Sequence, residues 1–276
     1  MDKGYAVMLK KIFSRVYISF IFLFLYAPIA ILIFFSFNKA RGRGVFTGFT
    51  LHWYKELFSN DLILSSFLNT IIVAAASSIL ATILGTAAAI GINGFNKKMK
   101  NAVMGITYIS IINPEIVTGI SLMLLFVIMK LKFGFTTLIL AHITFNVPYV
   151  ILNVLPKLRH QDNSLYEAAL DLGCTPSMAF WKVVIPDILP GILAGFLMSL
   201  TYSLDDFVVS YFTSGITSQT LPITIYSMTR KRVSPEINAI STVIFIIVLI
   251  SLIIVNLKEI KKEKYLMQLK RKINKY

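Results

Sequence analysis

Residues Ser164-Leu165-Tyr166-Glu167-Ala168-Ala169-Leu170-Asp171-Leu172-Gly173-Cys174-Thr175-Pro176 and the stretch that follows to Pro186 decide how this chain is read. Ser164 and Glu167 have the S-x-x-E spacing of a capping box, which predicts a short helix starting there. Gly173 can take the left-handed conformation that ends such a helix, and Thr175-Pro176 supply an N-cap and first-turn proline for a second one. The sequence therefore predicts a polar helix-turn-helix, about residues 159–187, between two long apolar stretches. A membrane chain that builds such a loop offers it to a soluble partner. The plainer reading of Glu167 is that it only caps.

The rest of the chain is strongly apolar: 56% of its 276 residues are hydrophobic, 14% are charged, and the mean hydropathy is +0.74. Soluble domains carry roughly 25% charge. Stretches near Val16 to Phe37, Phe67 to Gly91, Ala102 to Met129, Phe135 to Leu155, Ile188 to Phe212 and Ile237 to Leu257 are each long enough to cross a bilayer core, which needs roughly 20 residues. The expectation is an all-α integral membrane protein with six transmembrane helices, forming one domain over residues 1–276. No internal repeat or low-complexity linker divides it.

A net charge of +14 would suit nucleic acid, but the Lys and Arg flank apolar spans. The positive-inside rule accounts for that placement without a nucleic-acid partner. With the N-terminus inside, 18 of the 27 basic residues fall on the cytoplasmic side, and both termini and the 159–187 loop face the cytoplasm. The N-terminal apolar stretch is too long for a signal peptide and reads as a retained anchor. Cys174 is the only cysteine, so no internal disulfide can form. His52, His142 and His160 lie in separate segments without metal-ligand spacing, and no metal site is expected.

Along the chain, Ala74, Ser78 and the series Ser77, Ala81, Gly85 form a small-residue face for close helix packing. Asn113-Pro114-Glu115 interrupts the third span and Pro148, behind Asn146, the fourth. Each proline frees a carbonyl that must be satisfied inside protein or a wet cavity. The outer segment Asn38 to Ser66 carries Phe49, Trp53, Tyr54 and Phe58, an aromatic cluster with the look of an interfacial helix. A second outer segment, Thr213 to Glu236, ends in Ser234-Pro235-Glu236, an N-cap and proline that open the last span. The basic tail, residues 258–276, is suited to lie on anionic lipid or in solvent.

No G-x-x-x-x-G-K-[ST] occurs, so this chain cannot be an ATPase of that type. Nor is there a G-x-S-x-G or H-E-x-x-H motif, and an enzyme reading lacks a mechanism. Glu115 near the middle of the third span and Asp205 and Asp206 in the fifth are the intramembrane acids. An acid at mid-bilayer costs roughly 2.5–3.5 kcal/mol on insertion scales, so these three should line a pathway. Adjacent helical residues point about 100° apart, so Asp205 and Asp206 cannot share one direction, whereas Ser203 can share the face of Asp206. Carboxylates in line suit an elongated cation. Alternatively they cap a helix break or pair with Arg230, Lys231 and Arg232.

Glu167-Ala168-Ala169, three residues, Gly173 and then Pro186 resemble the EAA loop of ABC-transporter permeases, with Val183 and Ile185 as mild departures. Three further stretches narrow the likeness: Asn113-Pro114-Glu115-Ile116-Val117, His142-Ile143-Thr144-Phe145, and Ser203 to Ser210 with its aspartate pair. With Leu221-Pro222, Tyr226-Ser227-Met228 and Ser234-Pro235-Glu236, they make the chain similar to the second permease subunit of spermidine/putrescine importers, from about Tyr26 to Leu257. The resemblance implies a type I ABC importer permease fold in a bacterial inner membrane. It implies a homologous second permease, two copies of an ATPase that carries ATP and Mg, and an extracytoplasmic polyamine-binding protein. It further implies polyamine passage past Trp53, Glu115, Asp205 and Asp206, with Glu115 standing where the family often has Asp. Glu167, Ala168, Ala169, Gly173 and Pro186 would couple the chain to the ATPase.

Two rivals remain at this level. One is the same architecture with another cargo, such as an amino acid, a thiamine-like cation or ferric ion. Phe, Tyr and Trp near the acids favour an organic cation. The other is a proton-coupled secondary carrier, which would have no use for the loop. A membrane scaffold would leave the intramembrane acids unexplained.

Overall fold

The computed structural model describes residues 3–40, 45–231, 236–246, 249–250 and 253. The tail 258–276, Ser234-Pro235, Arg232, the Arg41 to Gly44 segment and most of the second half of the sixth expected span lie outside the described residues. Helices run α1 (Lys3–Ser36), α2 (His52–Ser59), α3 (Asp61–Gly94), α4 (Lys97–Ile112), α5 (Glu115–Ile128), α6 (Phe135–His160) and α7 (Asn163–Asp171). They continue as α8 (Pro176–Ala179), a π-helical turn (Phe180–Val184), α9 (Ile185–Asp205), α10 (Val208–Thr213), α11 (Leu221–Lys231) and α12 (Glu236–Ile246). Among the described residues four helical runs are long and apolar enough to cross a membrane: Lys11–Ser36, Asp61–Gly94, Phe135–His160 and Pro176–Asp205. The pair α4 and α5 is together long and apolar enough to make one further span, bent by 104°.

The chain divides into two compact units, Met1–Asn60 with Met228–Tyr276, and Asp61–Ser227. In the first, the aromatic cluster of the outer segment is tied together locally. Tyr54 Oη lies 2.6 Å from Ser36 Oγ, the Trp53 indole N–H donates to the Asn38 carbonyl at 2.8 Å, and Phe37 stacks on Phe49. Trp53 is only 3% exposed. An amphipathic α2 does form, but it turns Trp53 and Leu57 inward and leaves Phe58 out.

The second unit is a bundle in which α3, α6 and α9 pack on one another. The small-residue face explains why. Ala74, Ser77, Ser78, Ala81 and Gly85 are all buried, and Gly85 brings α3 against Val150 of α6. Gly195 of α9 approaches the same Val150. Lipid gives helices no hydrophobic reason to associate, so this closeness of backbone supplies the attraction.

The third span is interrupted where the sequence predicts, while the fifth and fourth differ from expectation. Pro114 has no N–H, and it holds Asn113 at an extended ψ of 130°, so the third span turns sharply and α5 begins afresh at Glu115. Glu115 thus stands at a helix start, where a carboxylate complements the helix dipole, rather than in mid-helix. The fifth span ends at Asp205 and resumes at Val208 instead of running unbroken to Phe212. Pro148, in contrast, breaks nothing: α6 runs through it and Pro156 to His160.

Candidate functional site

The two interruptions lie side by side. Gly119 of α5 packs against Phe212 and Val209 of α10, so the segments after each break touch. The breaks frame a partly open cavity of about 300 Å³ whose lining includes Glu115, Asp205 and Asp206 together with Phe145, Tyr149, Tyr202 and Phe207. Tyr149 of α6 and Tyr202 of α9 stack with ring centroids 4.3 Å apart, and Phe207 packs on Tyr226 at 4.6 Å. Glu115 and Asp205 are exposed. Acids ringed by aromatic faces attract cations twice over, through charge and through the ring quadrupoles.

Asp206 is held differently. Its Oδ1 accepts the Val209 N–H at 3.2 Å and its Oδ2 the Ser210 N–H at 2.7 Å, so the carboxylate caps the first turn of α10. Its side chain is 6% exposed. The reading of an acid capping a helix break therefore holds for Asp206, while its neighbour Asp205 faces the cavity. Ser203 does not line the cavity, contrary to expectation, because α9 ends before Asp206 and the i, i+3 relation does not carry across the break. Ser203 instead is buried, 3.0 Å from Ser77 Oγ of α3 and hydrogen-bonded to His142.

His142 is the functional candidate that sequence reasoning missed. It is fully buried on α6, with Nδ1 on Ser203 Oγ and Nε2 2.9 Å from Ser210 Oγ and 3.5 Å from Asp206 Oδ2. The signal was present: an ionisable side chain within an apolar span marks a functional position by its cost alone. A search for metal-ligand spacing does not find it. Among the described residues no cluster of three or more His, Cys, Asp or Glu is placed to hold a metal ion.

The loop between α6 and α9 forms a helix-turn-helix with two corrections. Asp162, not Ser164, caps α7: its side chain accepts the Ser164 N–H at 3.0 Å. Both residues are good caps, but starting at Asp162 gains two helical residues and sets a carboxylate on the positive helix end. These hydrogen bonds from Ser164 hold the Asp162 carboxyl below the usual aspartate range. Glu167 consequently sits in mid-helix, exposed and uninvolved in capping. Gly173 adopts φ +85°, with its N–H on Leu170 O and the Cys174 N–H on Ala169 O, the paired bonds of a Schellman turn. Thr175 accepts the Met178 N–H at 3.3 Å, and Pro176 opens α8 as expected.

The second helix of the loop is not a separate element. Pro176–Asp205 is one helical run, in which the wide π turn over Phe180–Val184 makes room for Pro186, which has no N–H to offer Lys182. The loop is thereby rigidly joined to the segment that ends at the cavity. Its surface carries exposed apolar side chains, Leu165, Leu172, Met178 and Trp181, with Leu172 87% exposed.

Apolar helical runs, two broken spans that frame an acidic aromatic cavity, and a protruding helical loop fused to one of them make a membrane permease. The fold matches a chain of the bacterial ABC transporter that imports alginate, with a TM-score of 0.69 over 93% of this chain and 98% of that one at 16% identity. A chain of an amino acid ABC transporter crystallised with histidines matches at a TM-score of 0.54 and 19% identity, over 73% of this chain and 94% of that one. Residues 81–259 match the family described as binding-protein-dependent transport system inner membrane component, and the chain belongs to that family. It is a transport component, not an enzyme. It is similar to the spermidine/putrescine transport system permease protein PotC of Haemophilus influenzae, 37% identical over 82% of this chain and 88% of the relative. PotC of Escherichia coli K12 is 35% identical over 89% and 93%, and the putrescine permease PotI of the same organism 38% identical over 81% and 82%.

Proposed function

We propose that this chain is the polyamine-conducting permease subunit of an ATP-driven importer of spermidine or putrescine in a bacterial inner membrane. The observation that carries the cargo assignment is the cavity at the two helix breaks, where Glu115 and Asp205 face Phe145, Tyr149, Tyr202 and Phe207. An alkyl chain bearing ammonium groups is what such a lining selects: the carboxylates take the charges and the rings take both charge and methylenes. Relatives named for polyamine transport point the same way.

In this reading the chain is one permease domain with six spans, the bent α4–α5 pair being the third and the segment opening with α12 the sixth. Both termini and the α7–α8 loop face the cytoplasm. It forms half of a pore with a homologous permease, receives cargo from an extracytoplasmic polyamine-binding protein, and rests on two copies of an ATPase that bind ATP and Mg. The exposed Leu165, Leu172, Met178, Trp181 and Glu167 form the face that docks into the ATPase. Gly173 and Pro186 set its angle, and the exposed Ala168 and the half-buried Ala169 let it approach closely. Because α8, the π turn and α9 are continuous, a movement of this face reaches the cavity through one rigid rod. Ser203 acts from behind the cavity wall, and Trp53, buried with its indole occupied, shapes the outer segment.

The deciding experiment is uptake of labelled putrescine and spermidine into proteoliposomes holding the complete complex, with ATP inside or outside. ATP-dependent polyamine uptake that excess amino acid, thiamine or ferric ion fails to compete supports the reading. Competition by one of these assigns another cargo. Uptake driven by a proton gradient without ATP would replace the importer by a carrier.

A further inference from the structure

We propose that His142 is a positioning residue for cargo selectivity: it pins the helix break at Asp206-Phe207 so that the Asp206 carboxylate stays turned onto α10. Glu115 and Asp205 are then the two carboxylates offered to cargo. The inference rests on the polyamine reading above.

The geometry is that of a clamp across a gap. One imidazole ring on α6 reaches both ends of the interrupted helix, with Nδ1 on Ser203 in the last turn of α9 and Nε2 on Ser210 in the first turn of α10. The ring is fully buried and rests against Phe145, with centroids 5.0 Å apart. Ser77 of α3 backs Ser203 at 3.0 Å, and Thr137 Oγ1 of α6 donates to the Thr213 carbonyl at 2.8 Å, so α10 is fixed to α6 at both its ends.

The carboxylate also dictates the proton arrangement. Asp206 Oδ2 stands 3.5 Å from Nε2, and a lone pair on that nitrogen would face an anion. The favourable tautomer carries its proton on Nε2, directed at Ser210 Oγ and Asp206 Oδ2, while Nδ1 accepts the Ser203 hydroxyl proton and Ser203 accepts that of Ser77. Asp206 then accepts the Val209 and Ser210 N–H groups and has the His142 N–H 3.5 Å from its second oxygen. A carboxylate so engaged has little left to give a passing ammonium. Two free carboxylates match a linear diamine, and a released third would match a linear triamine.

Initial uptake rates of putrescine and spermidine across a range of concentrations, with one binding protein in every arm, test this in the reconstituted complex. His142→Phe keeps the ring and removes both hydrogen bonds. It is expected to raise the spermidine-to-putrescine ratio of kcat/KM about fivefold, the size of one partly exposed ion pair. His142→Gln, whose amide reaches Ser210 and Asp206 with an N–H, should restore the wild-type ratio. In an Asp206→Asn background His142→Phe should leave the ratio unchanged. Should the Phe variant not assemble, His142→Asn, which keeps only the Ser203 contact, is expected to show the same shift. An equal fall of both substrates in the His142 variants would overturn the inference and leave His142 a packing residue, as would a shift that persists without the Asp206 carboxylate. A wild-type complex that moves neither polyamine would instead overturn the reading on which it rests.

Discussion

Gly85 of α3 lies so close to Val150 of α6 that a Cβ added to it would meet the Val150 Cβ at 2.6 Å and the Val147 carbonyl oxygen at 3.2 Å. Neither neighbour is the far end of a flexible side chain, so the helices themselves would have to part. Gly85→Ala is expected to destabilise the bundle by about 1–3 kcal/mol, the usual size of overpacking. Thermal unfolding of the purified complex in detergent reads this directly. An unchanged Tm would show that α3 and α6 are not held at this distance.

The turn at Gly173 is a second place where only glycine fits, here for backbone reasons. At φ +85° a β-branched side chain is strained by about 1–2 kcal/mol, and it would open the paired bonds to Leu170 and Ala169. Gly173→Val should leave the subunit in the membrane while ATP-driven uptake falls severalfold. Immunoblotting of assembled complex beside uptake separates the two effects, and normal uptake by an assembled variant would remove the loop from the coupling path.

Glu115 and Asp205 face the cavity while Asp206 caps α10, so their neutral amides should act differently. Glu115→Gln and Asp205→Asn are each expected to lower polyamine kcat/KM about tenfold, since a charge-assisted hydrogen bond contributes roughly 1.5–3 kcal/mol, with unfolding unchanged for Asp205 and only slightly earlier for Glu115, which opens α5. Asp206→Asn should lower Tm as well, because the amide keeps only one of the two N–H bonds and turns a donor toward the other N–H, a loss of about 1 kcal/mol. Parallel uptake and unfolding curves check the division. Equal loss of stability in all three would erase it.

The cap on α7 carries a pH signature. Hydrogen bonds from Ser164 depress the Asp162 pKa from its ordinary 3.8, so the folded helix favours the ionised carboxylate. The contribution is complete above that ordinary value and is lost as pH falls through the lower folded one. Amide hydrogen exchange over the first turn of α7 should therefore show constant protection from neutral pH down to about 4, once corrected for intrinsic rates, and a drop below it. Asp162→Asn, which still caps but does not titrate, should abolish the drop.

Much of this architecture was legible in the chain itself. Apolar run length marks where helices can cross a bilayer, the Ser77, Ala81, Gly85 stripe marks where they meet, and Gly173 with Thr175-Pro176 marks the turn of the loop. These are local properties, set by side-chain volume, backbone freedom and missing donors. The competition between Asp162 and Ser164 for the same helix end was not legible, because both are good caps and only the packed loop chooses.

The site divides along the same line. That Glu115, Asp205 and Asp206 are costly in lipid follows from charge alone, and that adjacent aspartates diverge follows from helical geometry. Which of them stays exposed at the cavity was decided only when α9 stopped at Asp205 and α10 began again, for a carboxylate beside free N–H groups turns to cap them. His142 joins them because α3, α6, α9 and α10 converge, over separations of 61 and 68 residues to Ser203 and Ser210. Sequence sets what each residue can do at its own place in the chain. Contacts between segments so far apart exist only once the helices have packed, and it is packing that sets three expensive acids on one cavity wall with a buried histidine against Asp206.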